Sequence, residues 1–455
     1  MRLLDVREDH ALRRSTRAAL ARRGAASLGL ALVLVAPASP GLAAEVSTTT
    51  RVSVSSRGKQ VKAWSGYTSI SADGRYVAFE TSGRRLVAGD TNGRSDVFVH
   101  DRSTGKTRRV SVSSTGEQGD DWSGYAAISG NGRFVAFTSA ASNLVADDTN
   151  GKEDVFVRDR ETHTTERVSV SSTGEQGNAD SAYPATSADG RFVAFTSAAS
   201  NLVSGDGNGQ VDVFVHDRAT HETTRISVSS SGTESDGRSD YLPPGAMSAS
   251  GRFVAFASAA SNLVANDGNG TFDVFVHDRT TGETRRVSVD SNGVEGNTTS
   301  YLASMSANGR FVVFESSADN LVPGDGNGQS DVFVHDLQHG KTERVSVGAA
   351  GVEGNDWSNN PTISRNGRFV AFDSYASNLI GSDHNDATDV FVRDRKKGRT
   401  RRVSVGPARV EANGHSEAPA ISADARHVAF GTYATNLVGG DANDEIDVCV
   451  RGPIR

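Results

Sequence analysis

Short apolar runs of four to six residues recur along the chain, each closed off by turn residues. In one stretch "YAAIS" leads through "GNG" into "RFVAFTS", a loop follows, then "DVFVRD", a turn at "RETHT", and "TERVSVSS". Val, Phe, Thr and Ile fill these runs with stretches of period-two alternation, and Asn-Gly or Asp-Gly marks the first turn, as in β-hairpins. No segment holds an apolar period of 3.6, and the Gly-rich loops would interrupt helices. The pattern predicts an all-β chain whose groups each hold four antiparallel strands, A to D.

The groups repeat. The run "GR-[FYH]-V-[AV]-F" begins at Gly74, Gly132, Gly190, Gly251, Gly309, Gly367 and, with Ala for Gly, Ala425, at steps of 58, 58, 61, 58, 58 and 58 residues. Seven units of four strands predict a seven-bladed β-propeller. The units lie near 66–114, 124–172, 182–230, 243–291, 301–348, 359–406 and 417–455. "RVSV" or "RISV" starts at Arg51, Arg109, Arg167, Arg225, Arg286, Arg344 and Arg402, so one copy precedes the first unit and the last unit has none of its own. The strand at 51–54 is therefore expected to complete the final blade, closing the ring and hiding its edges.

The runs "S-A-D-G-R-[FY]-V-A-F", "D-V-F-V-x-D" and "R-V-S-V" resemble the TolB-like, PD40 type of WD40-like propeller repeat over about residues 51–455. The resemblance implies the propeller fold. It also implies a role like those of its members, as periplasmic interaction platforms or as propellers that gate substrate access to peptidases.

In such a meander the A–B and C–D turns share one end of the blade. Arg75 opens strand B and Asp101 ends strand C, so the two should pair, as should Arg133 and Asp159; the seventh unit has Gly452 at the Asp position. His100, His216, His277 and His335 stand where Arg158 and Arg393 also occur, which reads as a solvent-facing strand end. The other end varies. Its D-to-A connections place Trp64, Tyr67, Trp122, Tyr125, Tyr183, Tyr241, Tyr301 and Trp357 before the inner strands, with Asp120, Asp121, Asp180, Asp240 and Asp356 among them. Rings and carboxylates around a concave mouth suit a sugar, a peptide or a cationic group. The same rings could instead be wedges between blades. Three extra residues near Pro243, Pro244 and Gly245 break the symmetry on this face.

The B–C loops share it. They read D-x-N-[GD]-x-x-D at Asp90, Asn92, Asp96; Asp148, Asn150, Asp154; Asp206, Asn208, Asp212; Asp267, Asn269, Asp273; Asp325, Asn327, Asp331; Asp383, Asn385, Asp389; and Asp441, Asn443, Asp447. Alternate Asp and Asn oxygens are how EF-hand-type loops hold Ca2+, and these loops also resemble the calcium-binding hairpins of integrin α-subunit propellers. The first acid of an EF-hand frame is replaced by Ala88, Ala146, Ser204, Ala265, Pro323, Gly381 and Gly439, and no bidentate Glu follows. Two readings stand: weak calcium sites, or tight turns capped by Asp and Asn.

Residues 1–44 differ from the rest. A basic stretch, the apolar run "AASLGLALVLVAPA" and "SPGLAA" read as a secretory signal peptide cleaved near Ala43 or Ala44, with paired arginines of twin-arginine type. The run is too short to span a bilayer. The leader holds seven of the 48 basic residues and three of the 55 acids, leaving 41 against 52 and moving the formal net charge from −7 to −11. Such a surface repels a phosphate backbone, so nucleic acid is excluded as a partner. Cys449 is the only cysteine and replaces the Phe of "DVFV", a buried apolar position.

No G-x-S-x-G, H-E-x-x-H or Cys-rich metal spacing occurs, and the "S-x-D-G-R" runs are not sialidase Asp boxes. The sequence therefore points to an exported, extracytoplasmic, monomeric propeller without catalysis, binding a protein, peptide or glycan at its mouth. The alternatives are a carbohydrate-active hydrolase or lyase with acids in the mouth, and a calcium-dependent adhesion module.

Overall fold

The computed structural model describes residues 47–240 and 242–454. Twenty-eight strands form seven four-stranded antiparallel sheets, six of them in the sequential order A-B-C-D. Blade 1 is typical: strands Ser65–Ile70, Tyr76–Thr81, Asp96–Asp101 and Lys106–Arg109. The seventh sheet takes its outer strand from the N-terminal side, Thr48–Arg51 against Asp447–Gly452, and the inner strands of blades 7 and 1 are neighbours, which closes the ring. The leader predicted over 1–44 lies outside the described residues. Among the described residues no helix is long and apolar enough to cross a membrane.

The closing strand is three residues earlier than the expected 51–54, and in every blade strand D stops at the Arg of "RVSV". The serine explains this. Ser111 accepts a hydrogen bond from the strand C amide of Val97 (3.2 Å) and donates to Asp96 (2.6 Å), so its side chain replaces the backbone ladder.

The core lies between blades. Ala78, Val97 and Val99 of blade 1 pack on Phe137 and Phe156 of blade 2, and similar layers recur around the ring. Phe79 and Phe98 stack at 6.1 Å and are fully buried, each contributing about 1.5–3 kcal/mol of transfer free energy. The A–B turn glycine is needed twice over. Gly132 has φ of 71°, and a Cβ there would stand 2.2 Å from the Tyr76 ring of the preceding blade.

The Arg–Asp pairs form as expected. Arg75 meets Asp101 at 2.9 and 2.8 Å and Arg133 meets Asp159, with the same pairing in blades 3 to 6. The histidines differ from expectation. His100 is buried, its Nδ1 lies 2.8 Å from the Thr107 hydroxyl, and that hydroxyl donates to the Val54 carbonyl of the preceding blade. Arg158 makes the equivalent bonds to Thr165 and the Ser113 carbonyl. The slot sits at a blade interface where a polar side chain must be satisfied, so a strand end that looks exposed in sequence is enclosed by its neighbour. Cys449 is fully buried, and burial pushes its thiol far above the ordinary range.

Candidate functional site

The inner strand of each regular blade carries a bulge, where pairing with strand B slips between Gly66 and Ser69 and between Gly124 and Ala127. Tyr67, Tyr125 and Tyr183 occupy the bulge with left-handed φ of 47°, 51° and 53°, an unfavourable region for a ring-bearing residue. In blades 5 to 7 the same position holds Leu302, Asn360 and Ala418. Tyr301 is therefore one residue out of step with the other tyrosines, and its ring packs on Phe272 at 4.9 Å. Tyr241 lies outside the described residues.

The bulges bring rings together. Tyr67 meets Tyr125 at 5.0 Å and Tyr125 meets Tyr183 at 4.6 Å, while Trp64 and Trp122 each stand 5.5 Å edge-on to the tyrosine of their own blade. "W-S-G-Y" is the local reason: a Cβ at Gly66 or Gly124 would lie 2.6 Å from the Trp ring. Trp122 is buried, whereas Trp64 and the three tyrosines are half-buried. Blades 1 to 3 thus present one continuous aromatic array at the mouth. Trp357 belongs to a separate stack with Tyr375 and His415.

What holds the bulges is not visible in the repeat. Strand B carries an acid at its penultimate position in three blades, and each acid accepts the bulge amide of the next blade: Glu80 from Tyr125 (2.9 Å), Glu315 from Asn360 (3.2 Å) and Asp373 from Ala418 (2.7 Å). Asp373 also accepts from Asn360 Nδ2 at 2.9 Å. Burial pushes Glu315 up to about 7 and Asp373 up to about 8, with Glu417 and Glu315 adding like charge at Asp373. The signal for these residues was an acid inside an otherwise apolar run, "FVVFES" and "FVAFDS".

The connection acids are tied to neighbouring segments, two of them to the B–C loop of blade 2. Asp120 accepts from the Ser142 amide and hydroxyl, Asp180 from the Glu153 amide, and Asp240 pairs with Arg238. In blade 4, which carries the three-residue insertion near Pro243, Pro244 and Gly245, strand A is only Ser239–Asp240.

Each B–C loop places its two aspartates around the arginine that ends strand D. Arg109 lies 3.5 Å from Asp90 and 3.3 Å from Asp96, Arg167 lies 3.0 and 3.2 Å from Asp148 and Asp154, and Arg51 lies 3.0 Å from both Asp441 and Asp447. The loop asparagines close the turn: Asn92 donates to the Gly119 carbonyl and accepts the Arg94 amide. In six blades a residue from the next connection completes the cluster, while Gln176 of the blade 2 connection bonds Thr149 instead. In blade 1 Gln118 donates to Asp90 (3.1 Å) and Asp96 (2.9 Å), and Gln60 serves Asp441 and Asp447 in the same way. Blades 3 to 6 have Glu234, Glu295, Glu353 and Glu411 instead, all paired with the same arginine. There the loop aspartates are raised by burial and neighbouring carboxylates, Asp206, Asp267 and Asp383 to about 6 and Asp325 to about 7. These four clusters, with carboxylate oxygens within 4.8 Å of one another, could hold a metal ion.

No family model matches the chain, and no curated protein matches it. Its fold recurs among solved structures. An oligogalacturonate lyase in complex with manganese is 12% identical over 89% of this chain and 93% of its own, with a TM-score of 0.49. TolB from Acinetobacter baumannii is 14% identical over 84% and 82%, with a TM-score of 0.38. Pyrococcus horikoshii acylaminoacyl peptidase is 10% identical over 83% of this chain and 51% of that one, with a TM-score of 0.50. The fold is a seven-bladed β-propeller, and at these identities the likeness assigns no residue a role.

Proposed function

We propose that the chain is a binding propeller that seats a protein, peptide or glycan at the mouth formed by the B–C loops and D–A connections. The observation that supports this most directly is the aromatic array of blades 1 to 3, in which Tyr67, Tyr125 and Tyr183 are held in left-handed bulges with successive rings 5.0 and 4.6 Å apart. Rings in that setting offer an apolar face to a sugar or peptide, and the inward acid Glu80 orients them through the Tyr125 amide. All three tryptophans lie on this face, so intrinsic fluorescence reports on it. Screening glycans and peptides by tryptophan fluorescence should yield a ligand whose affinity drops at least tenfold in Tyr125→Ala. A ligand that binds Tyr125→Ala and Trp64→Ala unchanged would place the site elsewhere.

A second reading has its own observation. Burial raises Glu315 to about 7 and Asp373 to about 8, the direction a general acid needs, which fits a hydrolase or lyase with acidic residues in the mouth. Turnover of oligosaccharides by the wild type and its loss in Asp373→Asn would favour this reading over binding alone.

The seven acidic loops we read as turns whose charge is met by arginine, with Ca2+ or another divalent ion a proposal for the four Glu-bearing clusters. Thermal unfolding in EDTA against about 5 mM calcium decides between them: overlaying curves support turns, and a rise of many degrees with several bound ions supports metal and an adhesion-like role. An extracytoplasmic monomer, exported by the leader at 1–44, completes the proposal.

A further inference from the structure

The repeat supplies an internal standard at the opposite end of the blades. After the strand C aspartate comes an arginine that reaches back across the blade interface. Arg160 lies over the Tyr76 ring of the preceding blade at 4.2 Å, Arg218 over Phe134 at 4.4 Å, Arg279 over Phe192 at 4.3 Å and Arg395 over Phe311 at 4.6 Å. Each of these rings also carries the strand B arginine of its own blade, as Arg191 does on Phe192 at 4.7 Å. The reaching guanidinium donates to the A–B turn carbonyl: Arg218 to Gly190 at 2.7 Å, Arg279 to Gly251 at 2.9 Å, and Arg102, Arg160 and Arg395 to the equivalent glycines. The molecule thus shows the same guanidinium site repeatedly, with its ring, its carbonyl and its depth.

Between blades 4 and 5 the arginine is replaced by Leu337. The backbone is unchanged: the Leu337 amide donates to the Arg310 carbonyl at 2.9 Å, as the Arg279 amide does to Arg252. The rest of the slot is also in place. Phe253 carries its own Arg252 at 4.7 Å, and Gly309 sits against the Phe253 ring like the other turn glycines. A crevice of about 440 Å³ opens here, lined by Phe253, Gly309, Leu337, Asp278 and Glu283 among others. The remaining interface without the arginine, between blades 6 and 7, is filled differently, with Ile454 packed into the core beside Phe369.

We propose that this crevice is an arginine-recognition site, taking the guanidinium of an arginine side chain on a peptide or protein partner. The guest would lie over Phe253 and donate to the Gly309 carbonyl, as the chain's own arginines do at the other interfaces. Asp278 and Glu283 also line the crevice, with their oxygens bonded to Arg252 and Arg285, and the presence of Arg285 does not bar a cation, since Arg160 is accommodated near Arg108 of blade 1. A lysine would lack the planar fork that stacks on the ring and bonds the carbonyl together.

The test uses the whole chain and blocked amino acids, N-acetyl-arginine amide against N-acetyl-lysine amide, followed by saturation-transfer NMR and calorimetry. Blocked arginine should bind saturably with Kd of roughly 1–10 mM, at least fivefold tighter than blocked lysine. Leu337→Arg fills the slot with the residue used in the other blades and should fold with unchanged circular dichroism while losing the binding at least tenfold. Leu337→Ala, which enlarges the slot, should keep it. Absence of saturation by 20 mM, equal binding of arginine and lysine, or full binding by Leu337→Arg would each overturn the assignment.

Discussion

Asp373 offers a sharp test of how the inner-strand bulges are held. Its carboxyl is fully buried, Oδ2 accepts from Ala418 N and Asn360 Nδ2, and Oδ1 has no hydrogen-bond partner. Directly across the A–B pair stands Asn359, whose Oδ1 is likewise unpartnered. A proton on Asp373 Oδ1 would remove one buried unmatched charge, in keeping with the rise of this carboxyl from 3.8 to about 8 through burial. A carboxyl whose folded value exceeds its unfolded one binds its proton more tightly when folded. Its contribution is therefore complete below about 4 and is lost as pH rises from there to about 8. Each pH unit in that window carries about 1.4 kcal/mol, so the wild type should lose roughly 2.7 kcal/mol at this site between pH 5.5 and 7.5. Asp373→Asn keeps the acceptor for Ala418 and supplies an N–H where the proton stands, without titrating. Urea unfolding of both proteins at the two pH values isolates the site, because the other titrating groups largely cancel in the double difference. The variant should match the wild type at pH 5.5 and exceed it by about 2–3 kcal/mol at pH 7.5. A variant destabilised equally at both would show that the carboxylate is ionised and needed as a charged acceptor.

Glu353→Gln converts a three-acid cluster into the Gln-type cluster of blade 1, relieving Asp325, which stands near 7. Stability above pH 7 should rise by about 1–2 kcal/mol and change little at pH 5, read by the same unfolding assay; a loss at both would make the Glu353–Arg344 pair the dominant contact. At the opposite end, Asp159 accepts from Arg133 and from the Glu161 amide that begins the C–D turn. Asp159→Ala should therefore cost about 2 kcal/mol and Arg133→Gln less than about 1, and equal costs would contradict the capping role. Gly190→Ala would set a Cβ 2.4 Å from the Phe134 ring at φ of 73°, so it should cost at least about 2 kcal/mol in thermal unfolding, with a near-neutral result refuting the close-packing argument.

Much of this molecule is determined by local sequence. Period-two runs, turn glycines and a 58-residue repeat dictate strands, hairpins and blade number, because each unit must bury an apolar face that only a neighbouring copy can cover. The Arg133–Asp159 pair followed from register alone, since antiparallel neighbours place the start of B beside the end of C. Tertiary structure decided what crosses between blades. His100 looked exposed until the Val54 carbonyl of the neighbouring blade closed over its threonine partner. The loop aspartates read either as weak calcium ligands or as turn caps, and the arginine that stands among them comes from the end of strand D, outside the loop. Likewise, the burial that raises Asp373 and the crevice beside Leu337 arise only where one blade meets the next. A repeat specifies its own unit by pattern, but the charge, depth and occupancy of each interface depend on which departures from the pattern face each other in space.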